Sequence, residues 1–96
     1  MRYEAPTTTK QAATLMANAK GSAYLLAGGT DLLVRMELGL IEPDLVVDIK
    51  RIEATQSIAR TATGFRIGAA VSAATMGRSA ALKKAWPGVV EAANLI

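Results

Sequence analysis

The sequence predicts an α/β fold: a small, mainly parallel sheet flanked by helices, with a β-hairpin added. Three observations carry that prediction. Helix-period segments alternate with short apolar runs in the first half of the chain, those runs lack the polar alternation of a surface strand, and a Gly-Gly turn joins one of them directly to the next helix. With 96 residues, 51% of them apolar, and a mean hydropathy of +0.26, the chain has the content of one folded domain. A domain of this size buries only roughly 60 to 65% of its unfolded surface, so its stability is modest and a partner surface has room to contribute.

The first helix is expected over residues 9–20. Thr8-Thr9-Lys10-Gln11 has the Thr-x-x-Gln form of a capping box, and Ala12, Leu15, Met16 and Ala19 follow at the spacing of one helix face. Gly21 stands where a left-handed C-terminal cap is expected. Tyr24-Leu25-Leu26-Ala27 then reads as a strand covered on both faces, ended by Gly28-Gly29. Thr30 or Asp31 is placed to cap a second helix with Leu32, Leu33, Met36 and Leu40 as its buried stripe and Gly39 near its end. Pro43 and Asp44 break that helix, and the β-branched content of Leu45-Val46-Val47-Asp48-Ile49 marks a second buried strand. Helices and strands in this order pack by right-handed crossovers, which leaves the loops at the carboxyl ends of the strands available for ligands.

The second half changes character. Ser57-Ile58-Ala59-Arg60 and Phe65-Arg66-Ile67-Gly68-Ala69 flank Thr61-Ala62-Thr63-Gly64, which predicts a hairpin. Ser72 can cap a helix containing Thr75 and Met76, and a further helical piece through Leu82 stops before Trp86-Pro87, because the residue preceding proline avoids the α region. From Gly88, the pattern of Val89, Val90 and Ala93 with Leu95 and Ile96 predicts another amphipathic helix. It ends on two apolar residues without a cap, so the 96 residues are expected to be the front part of a longer protein.

Composition excludes much chemistry. There is no cysteine and no histidine, which removes thiolate nucleophiles, disulfides, Cys- or His-ligated metals and imidazole as a general base. No two of the eight carboxylates stand close enough in sequence to suggest an acid/base pair. Catalysis then requires a cofactor. The formal charge of +3 is spread over single basic residues apart from Lys50-Arg51 and Lys83-Lys84, and Tyr3, Tyr24, Phe65 and Trp86 do not interleave with them, so nucleic acid is not an expected partner. No apolar run approaches the ~20 residues of a bilayer span and Met1-Arg2-Tyr3-Glu4-Ala5-Pro6 lacks a signal-peptide core, which points to the cytoplasm.

One segment gathers the requirements of anion binding. At Ala27-Gly28-Gly29-Thr30-Asp31 no side chain blocks the two glycines, successive N–H groups can point into one concavity, the following helix adds its dipole, and Thr30 adds a hydroxyl. Asp31 suits capping better than phosphate contact. The same turn also joins strands to helices in folds that bind nothing there, and both the Rossmann fingerprint and the P-loop signature are absent. The residues alone leave open an architectural turn, a phosphate-ligand site and a non-catalytic docking module. Arg35 and Glu37 read as a solvent face, Lys50-Arg51 as a solvated strand end, and Tyr24 and Trp86 as packing residues.

Ala27-Gly28-Gly29-Thr30-Asp31-Leu32-Leu33, preceded by a capped helix after Pro6 and followed by Val46-Val47-Asp48-Ile49 and Phe65-Arg66-Ile67-Gly68-Ala69, resembles the FAD-binding medium subunit of the molybdenum hydroxylases. This family includes the flavoprotein subunits of carbon monoxide dehydrogenase and xanthine dehydrogenase, and the resemblance covers nearly all of the chain. It implies the N-terminal lobe of a two-lobed FAD-binding domain over residues 1–96, in which Leu25, Leu26, Ala27, Gly28, Gly29, Thr30, Asp31 and Leu32 contact the FAD pyrophosphate. The Ile67-Gly68-Ala69 block and the residues from Ser72 to Thr75 look like family scaffold. The resemblance further implies an FAD-dependent oxidoreductase subunit that passes electrons from iron-sulfur clusters to an acceptor, in a hetero-oligomer with an iron-sulfur small subunit and a molybdenum-cofactor large subunit. The family's second glycine-rich block, Thr-x-Gly-Gly-Asn, does not occur in these 96 residues. Half of the expected flavin site is therefore absent from this sequence, and the segment alone is expected to be inactive.

Overall fold

A computed structural model describes all 96 residues. Three short parallel strands form its sheet in the order β1-β3-β2, with β1 at Arg2–Glu4, β2 at Ala23–Leu26 and β3 at Leu45–Asp48. All four residues of β3 are buried, as its unbroken apolar run requires of a central strand. Arg2 and Ala23 flank Leu45 in register, and Leu26 pairs with Asp48. Nothing in Arg2-Tyr3-Glu4 signals a strand; β1 forms because β3 offers it an open edge.

Side chains alternate across β3 with a period of two. Leu45 and Val47 face helix α1 (Thr9–Ala17) and join Ala12 and Ile52, with Leu15, Met16 and Ala19 against them. Val46 faces helix α2 (Leu32–Glu37) and joins Leu26 and Leu32, with Tyr24, Met36 and Ile41 around them. One helix thus covers each face. Only 13 of 96 residues are buried, so both clusters are small and the hydrogen bonds at caps and loops weigh heavily in holding the elements together.

α1 begins as predicted, with the Thr8 hydroxyl accepting from the Gln11 amide at 3.1 Å. The Gln11 side chain returns to the Thr7 amide, also at 3.1 Å, one residue upstream of a strict capping box. The helix ends at Ala17 rather than near residue 20, and Asn18 is its C-cap in the right-handed conformation. Gly21 is not left-handed; only Gly29 and Gly39 have positive φ. The Asp44 carboxylate, which accepts from the Ser22 amide and hydroxyl, occupies the place a side chain at Gly21 would need.

β2 lies at a sheet edge, so Leu25 is 53% exposed, and the expected cover on both faces is not found. α2 has six residues, under two turns. That length explains why the predicted stripe divides: Leu32 and Met36 reach the core, whereas Leu33 is 50% and Leu40, beyond the helix, 68% exposed.

β4 (Ile58–Thr61) and β5 (Gly64–Ile67) form the expected antiparallel hairpin, separate from the parallel sheet. The Arg60 guanidinium lies 5.7 Å from the centre of the Phe65 ring. Three helices follow, α3 (Ala73–Gly77), α4 (Ala80–Ala85) and α5 (Pro87–Asn94). Ser72 and Ser79 cap the first two, accepting from the Thr75 and Leu82 amides at 3.1 and 3.3 Å. Pro87 opens α5, where a missing N–H leaves no bond unmade. Leu82, Val90 and Ala93 are buried, while Val89, expected on the same face, is exposed. No helix is long and apolar enough to cross a membrane.

Candidate functional site

β2 leaves the sheet at Leu26, whose carbonyl accepts from the Ile49 amide at 3.0 Å. The two glycines beyond it have different reasons to be glycine. Gly29 has a φ of 85, and a Cβ there would press on the Leu33 and Leu26 side chains at 2.8 and 3.3 Å. The fold itself demands this glycine. Gly28 has no positive φ, and a Cβ added to it would meet nothing within 4 Å. Its lack of a side chain serves nothing inside the chain and leaves the backbone open to an approaching group.

The amides of Gly28, Gly29, Thr30, Asp31 and Leu32 donate no hydrogen bond within the chain; the first amide to do so is that of Leu33, to the Gly29 carbonyl at 3.1 Å. Five successive N–H groups around a left-handed glycine are thus free to donate to an anion. The dipole of α2 adds little, because six residues align few peptide groups. Asp31 is the N-cap of α2 but makes no side-chain capping bond. Its carboxylate lies 3.7 Å from the Arg35 guanidinium, and Thr30 is exposed.

Of the eight residues singled out from the sequence, the structure brings 27–31 together at one turn. Leu26 and Leu32 have their side chains in the core beneath it, so only their backbone is available to a ligand. Leu25 turns to the opposite face, where it lines an apolar groove of about 280 Å³ with Ile49 and Ile52.

A second feature involves Lys50, which in the sequence reads with Arg51 as a solvated strand end. The Lys50 ammonium donates to the Ala27 carbonyl at 2.9 Å and lies 3.2 Å from the Asp48 carboxylate. Asp48 is only 6% exposed and is the one buried charged residue. It also accepts from the Tyr3 hydroxyl and, at 3.0 Å, from the Lys50 amide. Burial pushes its carboxyl up, but the Tyr3 hydroxyl, the Lys50 amide and the Lys50 ammonium together outweigh burial and hold it below the ordinary carboxylate value. The Tyr3 phenol moves the other way, raised by its bond to Asp48, by desolvation and by the nearby negative charge, against a smaller opposing effect of Arg51. The signal that could have found this cluster is positional: in a parallel sheet the loops after neighbouring strands lie side by side, so Lys50 after β3 falls next to Ala27 after β2.

Residues 1–96 match the family described as FAD binding domain in molybdopterin dehydrogenase. The carbon monoxide dehydrogenase medium chain of Hydrogenophaga pseudoflava is 33% identical over 94 residues, which is 98% of this chain and 33% of that protein. A structure of carbon monoxide dehydrogenase from the same organism, lacking the Mo-pyranopterin moiety of the molybdenum cofactor, matches 100% of this chain and 33% of its own chain with a TM-score of 0.94 at 32% identity. Quinoline 2-oxidoreductase from Pseudomonas putida 86 matches 97% of this chain and 32% of its own with a TM-score of 0.90 at 22% identity, a likeness of fold alone. This chain spans 33% of the length of the carbon monoxide dehydrogenase medium chain. Matching over its full length and folding as these relatives do, the chain belongs to the family of FAD binding domains of molybdopterin dehydrogenases.

Proposed function

We propose that residues 1–96 are the N-terminal lobe of a two-lobed FAD-binding domain, and that residues 25–32, centred on Gly28, Gly29 and Thr30, hold the FAD pyrophosphate. The observation that carries this reading is the open space at Gly28 beside five unpaired amides. A pyrophosphate needs several donors within hydrogen-bond distance of its oxygens, and therefore a backbone with no Cβ in the way. The residues present fit that group. Arg35 draws the Asp31 carboxylate along the helix, which lessens its repulsion of an anion at the turn. Leu26 and Leu32 fix the two ends of the loop in the core, so its amides are held in place before a ligand arrives.

When bound, FAD supplies the redox chemistry, accepting electrons from the iron-sulfur side of the enzyme and giving them to an acceptor. The partners are an iron-sulfur small subunit and a molybdenum-cofactor large subunit in a hetero-oligomer, a reading supported by a relative that is a medium chain and by a matching structure of a Cu,Mo-CO dehydrogenase. The lobe alone lacks the groups that face the isoalloxazine ring and is inactive by itself.

The test is titration of FAD into the full-length protein and its Gly28→Asp variant. Position 28 is the better choice than 29, where the positive φ would confound binding with folding. Loss of FAD binding in a variant whose thermal midpoint is unchanged supports the pyrophosphate loop, and equal binding by both proteins overturns it. ADP that binds as tightly as FAD would favour a general nucleotide site instead.

A further inference from the structure

The Lys50 side chain stands beside the loop with both of its contacts directed inward. Its ammonium bridges the Asp48 carboxylate and the Ala27 carbonyl, at 3.2 and 2.9 Å, and Asp48 is itself bound by the Tyr3 hydroxyl from β1. A line of polar contacts therefore runs from the outer strand β1, through the end of β3, to the turn after β2. The Ala27 carbonyl belongs to the same peptide group as the Gly28 N–H, and that bond is trans. In a trans peptide the C=O and the N–H point in opposite directions. Holding the oxygen toward Lys50 fixes the Gly28 N–H on the side away from it, and a cation on the carbonyl polarises the peptide and strengthens its N–H as a donor.

We infer that Lys50 is a positioning residue: held by Asp48, its ammonium clamps the Ala27 carbonyl so that the Gly28 N–H is aimed at the FAD pyrophosphate. The inference rests on the flavin reading of the loop and adds to it a residue outside the glycine motif. Lys50 acts through the peptide group and does not contact the phosphate, because its charge is already shared between a carboxylate and a carbonyl. An apolar side chain at position 50 leaves the Ala27 oxygen without its side-chain donor and removes the only cation paired with the Asp48 carboxylate, which keeps its bonds from the Tyr3 hydroxyl and the residue-50 amide.

The experiment compares the full-length protein with its Lys50→Met and Lys50→Arg variants by three measurements: the FAD dissociation constant, the thermal midpoint without FAD, and the ³¹P resonances of bound FAD. Lys50→Met is expected to weaken FAD about tenfold, the scale of one charge-assisted hydrogen bond at a part-exposed site, and to shift a pyrophosphate resonance. Lys50→Arg, which keeps a cation able to donate to the carbonyl, restores both. Unchanged affinity in Lys50→Met overturns the clamp while leaving the flavin reading intact. A weakening matched by a lower thermal midpoint, with the ³¹P resonances unmoved, also overturns it by reducing Lys50 to a general structural role. If the unsubstituted protein binds no FAD, the flavin reading falls and the clamp with it.

Discussion

Gly68 lies so close to Thr55 that a Cβ at position 68 would overlap the Thr55 carbonyl and crowd the Ala54 oxygen. The contact is locked on both sides, with the Gly68 amide donating to the Ser57 carbonyl at 2.9 Å and the Ala70 amide donating to the Thr55 carbonyl at 2.8 Å. This seat joins the end of the β4-β5 hairpin to the turn at Glu53–Thr55. Backbone cannot step aside as a flexible side chain can, so Gly68→Ala is expected to destabilise the protein by about 2 kcal/mol. Gly64→Ala, where a Cβ meets nothing within 4 Å, should change stability by less than about 0.5 kcal/mol. Urea midpoints of the two variants check the contrast, and equal midpoints would refute the seat.

Gly28 and Gly29 should separate binding from folding. Gly29→Ala places a Cβ at a positive φ and against Leu33, and is expected to cost about 1 to 2 kcal/mol of stability. Gly28→Ala meets neither obstacle and should leave the thermal midpoint unchanged while weakening FAD. Thermal melts with and without FAD give both quantities from one set of samples. The pyrophosphate assignment fails if Gly28→Ala binds FAD as the unsubstituted protein does.

The contrast between these adjacent glycines also shows what sequence reasoning reaches. β3 was legible because Leu45-Val46-Val47 is apolar on every position, and α1 because Thr8 and Gln11 cap a regular apolar face. β1 was not, since Arg2, Tyr3 and Glu4 become a strand only when β3 pairs with them. The α2 stripe is shorter than its periodicity predicts, because the apolar spacing continues through Leu40 in the sequence while the helix closes at the left-handed Gly39. The Gly-Gly turn was visible as a motif, but which glycine serves the fold and which leaves room for a ligand depends on φ and on neighbouring side chains. The Tyr3, Asp48 and Lys50 cluster joins β1 to the end of β3, and because Tyr3 and Asp48 stand 45 residues apart, no local spacing encodes their contact.

Capping supplies a further test, because the two candidate helix starts in the first half behave differently. Thr8 accepts from the Gln11 amide, so Thr8→Ala is expected to cost about 1 kcal/mol. Asp31 makes no capping bond, and its ion pair with Arg35 is exposed. Asp31→Ala should therefore stay within about 0.5 kcal/mol of the unsubstituted protein. Denaturant midpoints for the two variants decide the matter, and a larger loss for Asp31→Ala would show that its side chain caps α2 after all.

The Tyr3–Asp48 contact makes stability depend on pH at both ends of the range. Asp48 is held below its ordinary value, so its contribution is fully present above about pH 3.9 and is lost as pH falls through the lower folded-state value. In Tyr3→Phe the hydroxyl donor is gone while burial still pushes the carboxyl up. Its folded-state value rises, and acid unfolding should begin at higher pH than in the unsubstituted protein. The phenol works with the opposite sign: Tyr3 is raised by its bond to Asp48, so the neutral form stabilises the fold below about pH 10 and that contribution is lost as pH climbs through the folded-state value. Tyr3→Phe should remove this alkaline dependence. Circular dichroism followed from pH 7 down to 2 and up to 12 on both proteins measures the two limbs. Superimposed acid limbs would mean that the hydroxyl adds nothing to the Asp48 carboxylate, and the contact between β1 and β3 would then rest on backbone pairing alone.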